Sequence, residues 1–357
     1  MSARDPIADL RRIAFLLERA NEATYRVRAF RSAAKTLGAL PAAEVAERAR
    51  TGTLTELSGV GDVTARCVAE SLAGEEPVYL RRLLATEGTD LDEAAATLRD
   101  ALRGDCHTHS DWSDGGSPIE EMALAAVELG HEYMVLTDHS PRLTVARGLT
   151  AERLRRQLDH VAAVNEALPA GFRILTGIEV DILADGSLDQ DEDLLARLDV
   201  VVGSVHSGLN DERAKMTRRM LAAIANPHLD ILGHCTGRMV SSRPAGVTGP
   251  GDRGHRARTR KESDFDADAV FAACAEHDVA VEINSRPERQ DPPKRLIRVA
   301  LEAGCRFAID TDAHAPGQLD WQRFGCERAA LCGVPAKRVV NTWTADRLLK
   351  WTADGVT

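Results

Sequence analysis

Asp105-Cys-His107-Thr-His109 opens the series of stretches that decides the fold of this 357-residue chain. Six more follow: Leu136-Thr-Asp138-His139, Thr176-Gly-Ile-Glu179, Gly203-Ser-Val-His206, Leu232-Gly-His234, Val281-Glu-Ile-Asn284 and Ile309-Asp-Thr-Asp312-Ala-His314. Each ends in residues able to ligate a metal, and most follow an apolar, β-branched run. The polar side chains therefore stand where a buried strand ends. Strand ends that all present imidazoles and carboxylates define a barrel enzyme with a metal cluster at its C-terminal mouth.

Around these stretches the pattern alternates. Apolar strands are expected near 133–138, 174–180, 199–205, 229–233, 279–283 and 306–311, with another before His107. Between them lie amphipathic segments at 118–130, 151–168, 211–226, 266–278 and 293–303. Alternation of this kind argues for parallel β/α units, here with about seven strands, one short of the usual eight-fold barrel. Residues 320–351 should supply closing helices. One segment breaks the rhythm: 241–263 is rich in Gly, Pro and Arg and nearly devoid of apolar residues, so it reads as a long loop over the mouth.

Upstream of Gly104 the character changes. Ile7, Leu10, Ile13, Leu16 and Leu17 recur at helical spacing, and Tyr25-Arg-Val-Arg-Ala-Phe30 opens a second apolar face, so 6–38 should be helical. A short segment from Pro41 to Arg50 is broken by Gly52. Leu57-Ser-Gly59-Val60-Gly61-Asp-Val-Thr-Ala-Arg66 reads as a two-glycine turn entering a helix, and a further helical stretch runs to about Leu102. The expected domains are an all-α unit at 1–102, a β/α barrel at 104–340 and a helical tail at 341–357.

Bulk properties narrow the function classes. The net charge of −10 gives no support to a generally basic nucleic-acid binder. Residues 1–103 are near neutral, with 15 Lys/Arg against 16 Asp/Glu, so the acidic excess lies in the barrel, where carboxylates can face cations. No apolar run approaches 18 residues and no charged-then-apolar leader is present, so neither a membrane span nor a secretory signal is expected. The seven cysteines are scattered without a CxxC pair, which points to a reducing, cytoplasmic setting.

The chemistry follows from residue types and spacing. His107 and His109, two apart on an extended segment, project to the same side and can reach one ion. Glu179, alone at its strand end, has two oxygens and can bridge two ions. Asp312 and His314 repeat the two-residue spacing. Asp114, in Ser113-Asp114-Gly115, follows the histidine pair closely enough to join them, although its place before a glycine also suits a turn. Mixed imidazole and carboxylate ligands suit zinc, manganese or iron. Two or three such ions would activate water and neutralise charge on a phosphate. By contrast His131, His160 and His277 fall on helical segments and need no functional reading.

The set His107-x-His109, Ser113-Asp114-Gly, Thr137-Asp138-His139, Gly177-Ile-Glu179, Ser204-Val-His206, Gly233-His234 and Thr311-Asp312-Ala-His314 resembles the PHP (polymerase and histidinol phosphatase) family across 104–340. That resemblance implies a distorted seven-stranded, TIM-like β/α barrel with a trinuclear centre that hydrolyses phosphoesters. It implies one ion on His107, His109, Glu179 and Asp312, a second on Glu179, His206 and His234, and a third on Asp114, His139 and His314. Asp138, Asn284, Arg238 and Arg286 become the candidate catalytic residues, the last three as phosphate contacts at the mouth.

The first hundred residues resemble the small helical domain at the front of family X DNA polymerases. The carrying residues are Tyr25-Arg-Val-Arg-Ala-Phe-Arg-Ser-Ala-Ala34, Leu40-Pro41 and the helix-hairpin-helix 57–66. A Gly-Val-Gly turn before a helix can offer backbone N–H groups to a DNA phosphate without reading bases, which makes Gly59, Val60, Gly61 and Arg66 candidate DNA contacts. Arg256, Arg258 and Arg260 in the basic loop would add to them. Two departures matter. Only Arg103 and Gly104 lie between Leu102 and the barrel's first motif at Asp105, so no nucleotidyltransferase module intervenes and synthesis is not expected. Cys67 stands where the lyase-active relatives carry a Schiff-base lysine, so lyase activity is not expected either. The leading expectation is a metal-dependent phosphoesterase at DNA ends, as a 3′→5′ exonuclease, 3′-phosphatase or abasic-site nuclease, binding DNA without sequence preference. The alternatives are a phosphomonoesterase of histidinol-phosphatase type and a non-catalytic DNA-binding or scaffolding protein.

Overall fold

A computed structural model describes residues 4–85, 91–240 and 259–354. The chain divides into two compact units, Met1–Asp90 with Pro316–Gln318 and Leu91–Ala315 with Leu319–Thr357. Among the described residues the first unit is all-helical. Helix α1 (Pro6–Arg19) starts where Asp5 accepts the Ile7 N–H and Pro6 fills a position that needs no donor. Its Leu10, Ile13, Ala14 and Leu17 share one face and are fully buried. The expected helical stretch 6–38 is two helices, because the chain turns at residues 20–23, with Asn21 at φ 52°. Helix α2 (Thr24–Gly38) then returns Phe30, Ala33, Ala34 and Leu37 against α1. Helix α3 (Ala42–Thr51) ends at Gly52, whose φ of 74° suits a residue without Cβ. Helices α4 (Asp62–Leu72) and α5 (Val78–Leu84) complete the unit, both packed on α1.

The second unit begins with α6 (Glu93–Ala101), capped by Asp92 accepting the Ala95 N–H at 2.8 Å. Thereafter strands and helices alternate: β1 (Gly104–Thr108), α7 (Ile119–Glu128), β2 (Tyr133–Leu136), α8 (Ala151–Ala167), β3 (Arg173–Asp181), α9 (Glu192–Leu195), β4 (Val200–Ser204), α10 (Arg213–Ile224), β5 (Ile231–Leu232), α11 (Ala267–Glu276), β6 (Ala280–Asn284), α12 (Lys294–Ala303) and β7 (Phe307–Asp310). Helices α13 (Gln322–Leu331) and α14 (Ala345–Asp354) close the chain. All seven strands are parallel and pair in chain order. An isolated parallel bridge between Thr108 and Ala313 brings the last strand back to the first, so the barrel is nearly closed.

Period-two alternation builds the interior. Cys106, Tyr133, Val135, Leu175, Val200, Val202, Ile231, Ala280 and Ala308 form one buried cluster, which Val340, Trp343 and Leu348 join from the C-terminal segment. The alternate strand residues Met134, Leu136 and Ile174 pack outward against α7 and α8. Counting two residues on from the inward apolar layer, and then two more, gives Gly177 and Glu179 on β3, and Glu282 and Asn284 on β6. The functional side chains are thus the upper layers of the same inward-facing ladder. Gly177 is required there: a Cβ would lie 2.7 Å from Val135 Cγ1 and from the Val200 carbonyl. In β1 the register shifts between Asp105 and Thr108, where His107 lies.

Two features differ from the boundaries read from the sequence. Residues 91–102 group with the barrel, α6 packing on α13. The segment after residue 340 is also part of the barrel: Asn341 is fully buried, donates to Asp310 Oδ1 at 2.8 Å and accepts the Ile309 N–H at 2.7 Å. Helical periodicity identifies such segments but does not say which core they complete. No helix among the described residues is long and apolar enough to cross a membrane.

Candidate metal centre

The strand ends, with Asp114 from the loop after β1, bring eight side chains together with Glu179. One carboxylate oxygen, Oε2, lies 3.4 Å from His107 Nε2, 3.6 Å from His109 Nε2 and 2.8 Å from His139 Nδ1. The other, Oε1, lies 3.2 Å from His206 Nε2 and 2.8 Å from His234 Nε2. Asp312 Oδ1 stands 3.3 Å from His109 Nε2 and 3.5 Å from His314 Nδ1. Asp114 Oδ1 faces His139 Nε2 at 3.5 Å and His314 Nε2 at 3.3 Å. Three groups have ligand atoms close enough to share an ion: His109, Asp114, His139 and His314; His107, His109 and Asp312; and His139, Glu179 and His206. His109 and His139 each belong to two groups, so the partition implied by the resemblance is less sharp in space than in sequence.

The donor set fits cations. His107 Nε2, both nitrogens of His109 and of His206, His139 Nδ1, His234 Nδ1 and Glu179 Oε2 are buried and make no hydrogen bond. A buried polar atom left unpaired costs about 1–3 kcal/mol, so several together need a partner that accepts from all of them. Protons alone serve the set poorly. Against the opposing effect of burial, Glu179 and Glu282 raise the pKa of His107 well above the ordinary value. Burial and the neighbouring His314 and His139 push His109 well below it. Burial likewise opposes ionisation of Glu179, yet His139, His107 and His206 hold its pKa well below the carboxylate range. Divalent cations satisfy unprotonated imidazole nitrogens and carboxylates together.

Supporting contacts fix the ligands. Asp312 adopts φ 53°, a left-handed conformation that costs a non-glycine residue about 1–2 kcal/mol. Its Oδ2 accepts from Arg289 Nε at 3.0 Å and from Asn284 Nδ2 at 3.2 Å, which leaves Oδ1 toward His109. Arg286 Nη1 approaches His314 Nδ1 at 3.0 Å and donates to the Asp312 carbonyl at 3.2 Å. Arg238, by contrast, is engaged by its surroundings, donating to the Arg289 carbonyl and to Glu262 Oε1, each at 3.1 Å. Asp138 does not open to the mouth. Its oxygens accept from the Ser110 N–H at 2.8 Å, Ser110 Oγ and Ser113 Oγ at 2.5 Å, and Gln157 Nε2 at 2.6 Å. It therefore anchors the segment that carries Asp114, and a direct catalytic part has no free oxygen to work with.

Sequence reading missed Arg289 and Glu282. Arg289 lies in an aperiodic loop and gave no signal. Glu282 was legible in principle, because it sits two residues before Asn284 on an inward ladder.

In the first unit, Gly59 has φ 84°, and a Cβ there would meet Ser32 Cβ at 3.2 Å. Val60 is buried, and its N–H is donated to the Leu57 carbonyl at 3.1 Å. The Gly61 N–H is donated to Thr64 Oγ1 at 3.0 Å. Two of the backbone donors expected to face a phosphate are therefore occupied within the hairpin, and the exposed Arg66 follows on α4. Cys67 is buried in the same unit and its thiol is pushed up to about 11, chiefly by burial. Arg256 and Arg258 lie outside the described residues. Arg260 pairs with Met239 and turns its Nε to the Gly237 carbonyl.

A family model for the PHP domain matches residues 105–286, and one for a helix-hairpin-helix domain matches residues 1–76. The chain belongs to the PHP family and is a phosphoester hydrolase of that type. Among curated proteins it is 39% identical over 240 residues to the DNA polymerase/3′-5′ exonuclease PolX of Bacillus subtilis (strain 168), covering 67% of this chain and 39% of that protein. The chain thus spans well under half of that relative. A probable phosphatase of Thermoanaerobacter sp. (strain X514) is 28% identical over 249 residues, 67% of this chain and 89% of that one. Among solved structures, histidinol phosphate phosphatase of Lactococcus lactis subsp. lactis aligns with a TM-score of 0.43 at 17% identity, covering 65% of this chain and 94% of that chain.

Proposed function

We propose that the centre holds two or three divalent ions of zinc, manganese or iron and that the protein hydrolyses phosphoester bonds at DNA ends, in repair. His107, His109, Glu179 and Asp312 would hold one ion, Glu179, His206 and His234 a second, and Asp114, His139 and His314 a third. The observation that carries the metal reading is Glu179, whose two oxygens each face a separate set of imidazoles. The DNA reading is supported by a helix-hairpin-helix match and a PHP match in one chain, and by the 39% identity to PolX over 240 residues.

When bound, such ions supply an activated water and neutralise charge on the phosphoryl oxygens. The chain's own residues do the rest. Asp114 (side chain 36% exposed), His314 (19%) and His206 (13%) are the most open of the set, so substrate would approach on their side. Arg286, part-exposed beside His314, would take a phosphoryl oxygen. Arg289 and Asn284 hold Asp312 Oδ2 so that Oδ1 stays directed at His109.

The test is incubation with Mn²⁺ and end-labelled duplexes carrying a nick, a 3′-phosphate or an abasic site, beside Asp312→Ala. Cleavage that Asp312→Ala abolishes is the expected result; all three duplexes left intact would reject the DNA reading. A second reading, a small-molecule phosphomonoesterase, is supported by the identity to probable phosphatases that align over nearly their whole length. It requires turnover of histidinol phosphate or p-nitrophenyl phosphate that a chain starting at Leu91 retains in full.

A further inference from the structure

Glu282 is a fully buried carboxylate that no step above uses, and it lies at the hub of the ligand set. Its Oε1 is 2.6 Å from His107 Nδ1, on the edge of the ring away from Glu179. Its Oε2 accepts the backbone N–H of His234 at 2.5 Å and Asn284 Nδ2 at 3.2 Å. Asn284 Nδ2 also reaches Asp312 Oδ2 at 3.2 Å. One side chain thus touches His107 and His234 directly and Asp312 through Asn284.

Geometry excludes Glu282 as a ligand of the same ion as His107. The imidazole stands between them, with Nδ1 toward Glu282 and Nε2 toward Glu179. A carboxylate has no proton to give, so the short Nδ1 contact is a donated N–H. That places the ring proton on Nδ1 and leaves the Nε2 lone pair free for a cation. Without Glu282 the ring could carry its proton on Nε2 and donate it to Glu179, which would close the site against a cation at that atom. Its other partners in the barrel fit the same role: the His234 N–H and Asn284 Nδ2 both donate to Oε2.

We propose that Glu282 is the positioning residue of the centre: it fixes His107 in the Nδ1–H tautomer and sets the backbone of His234, so that ligands attributed to two different ions are held by one carboxylate. The inference rests on the metal-binding reading above. A carboxylate behind a ligating histidine raises its basicity and orients it, and losing such a partner typically lowers metal affinity about 10–100-fold. Asp181 stands behind His206 in a looser version of the arrangement, with its Oδ1 3.7 Å from Nδ1.

The experiment uses the full chain loaded with Zn²⁺. Zinc retention is measured by chelator competition for the wild type and Glu282→Gln, at a temperature where both give native circular dichroism. Ring ¹⁵N spectra of the zinc-loaded wild type report the His107 tautomer, assigned by the signal absent from His107→Gln. The expected result is a 10–100-fold weaker hold on zinc in Glu282→Gln, with wild-type His107 protonated at Nδ1. Retention within twofold of wild type, or a wild-type His107 bearing no proton on Nδ1, overturns the proposal. Should Glu282→Gln not fold, the wild-type spectrum decides alone. A wild type that binds no zinc, manganese or iron would instead reject the metal reading itself, which keeps the two failures apart.

Discussion

Replacing Glu179 by Gln tests the centre at its most connected atom pair. The substitution keeps the shape but removes the charge that lies within 3.6 Å of five imidazole nitrogens. An amide offers one weakly ligating oxygen where the carboxylate offers two, so it cannot serve both sets of histidines. Breaking a buried charge pair by removing one partner costs about 3–5 kcal/mol, which corresponds to roughly 10²–10⁴ in metal affinity. The consequence is visible in stability. Ions present at about a thousand times their dissociation constant stabilise the folded state by about 4 kcal/mol. At about 2–4 °C per kcal/mol for a unit of this size, chelation should lower the wild-type melting temperature by roughly 8–16 °C. Glu179→Gln should lose metal on gel filtration and show little further change with chelator. Differential scanning calorimetry with and without chelator, paired with elemental analysis, gives both quantities. A Glu179→Gln protein that keeps the wild-type metal content and the same chelator-dependent shift would refute the reasoning.

Burial holds His131 at a pKa of about 3, assisted by Arg99, against 6.5 unfolded, so the unfolded chain binds the proton first on acidification. Stability is therefore lost as pH falls below 6.5, amounting to about 2 kcal/mol between pH 8 and pH 5 by linkage. His131→Gln should flatten that part of the profile in pH-dependent urea melts, and an unchanged slope would contradict the assignment. Asp138→Asn puts a donor where Ser110, Ser113 and Gln157 already donate, so stability should fall by about 1–3 kcal/mol. If Asp138 only anchors its loop, saturating metal should restore most of the activity of that variant; activity abolished at full metal occupancy would argue for a chemical role instead. All seven cysteines are buried, so native protein should react with a thiol reagent at pH 8 far more slowly than protein unfolded in guanidinium. Rapid stoichiometric labelling of even one native thiol would contradict that burial.

Much of the barrel could be read because two periodicities coexist in it. Helices 151–167, 267–276 and 294–303 fall within a residue or two of the amphipathic segments, and every expected strand is present. Most of the nine ligand candidates were legible for the same reason: they stand at or just past the ends of apolar strands, and closing the barrel brings those ends together, whereas Asp114 comes from the loop that follows the histidine pair. What escaped depends on long-range contact. That Asn341 reaches Gly104 and Asp310 has no local signature, so the C-terminal segment read as a tail. Asp138 became a catalytic candidate through the resemblance carried by Thr137-Asp138-His139, yet successive residues diverge and its carboxylate is held by Ser110, Ser113 and Gln157. The hairpin misled in another way. Gly-Val-Gly suggests open N–H groups, but Thr64, three residues after Gly61, takes one of them for its own hydroxyl.

The measurement that bears most directly on the function is the kcat/KM of the manganese-loaded full chain on a 3′-phosphate duplex, set against p-nitrophenyl phosphate, with a chain starting at Leu91 as comparator. A DNA-end phosphoesterase guided by its helical unit should prefer the duplex by orders of magnitude, lose most of that preference without residues 1–90, and keep its turnover of the small ester. Equal use of both substrates, indifferent to the helical unit, would contradict the DNA reading and leave a phosphatase of small molecules.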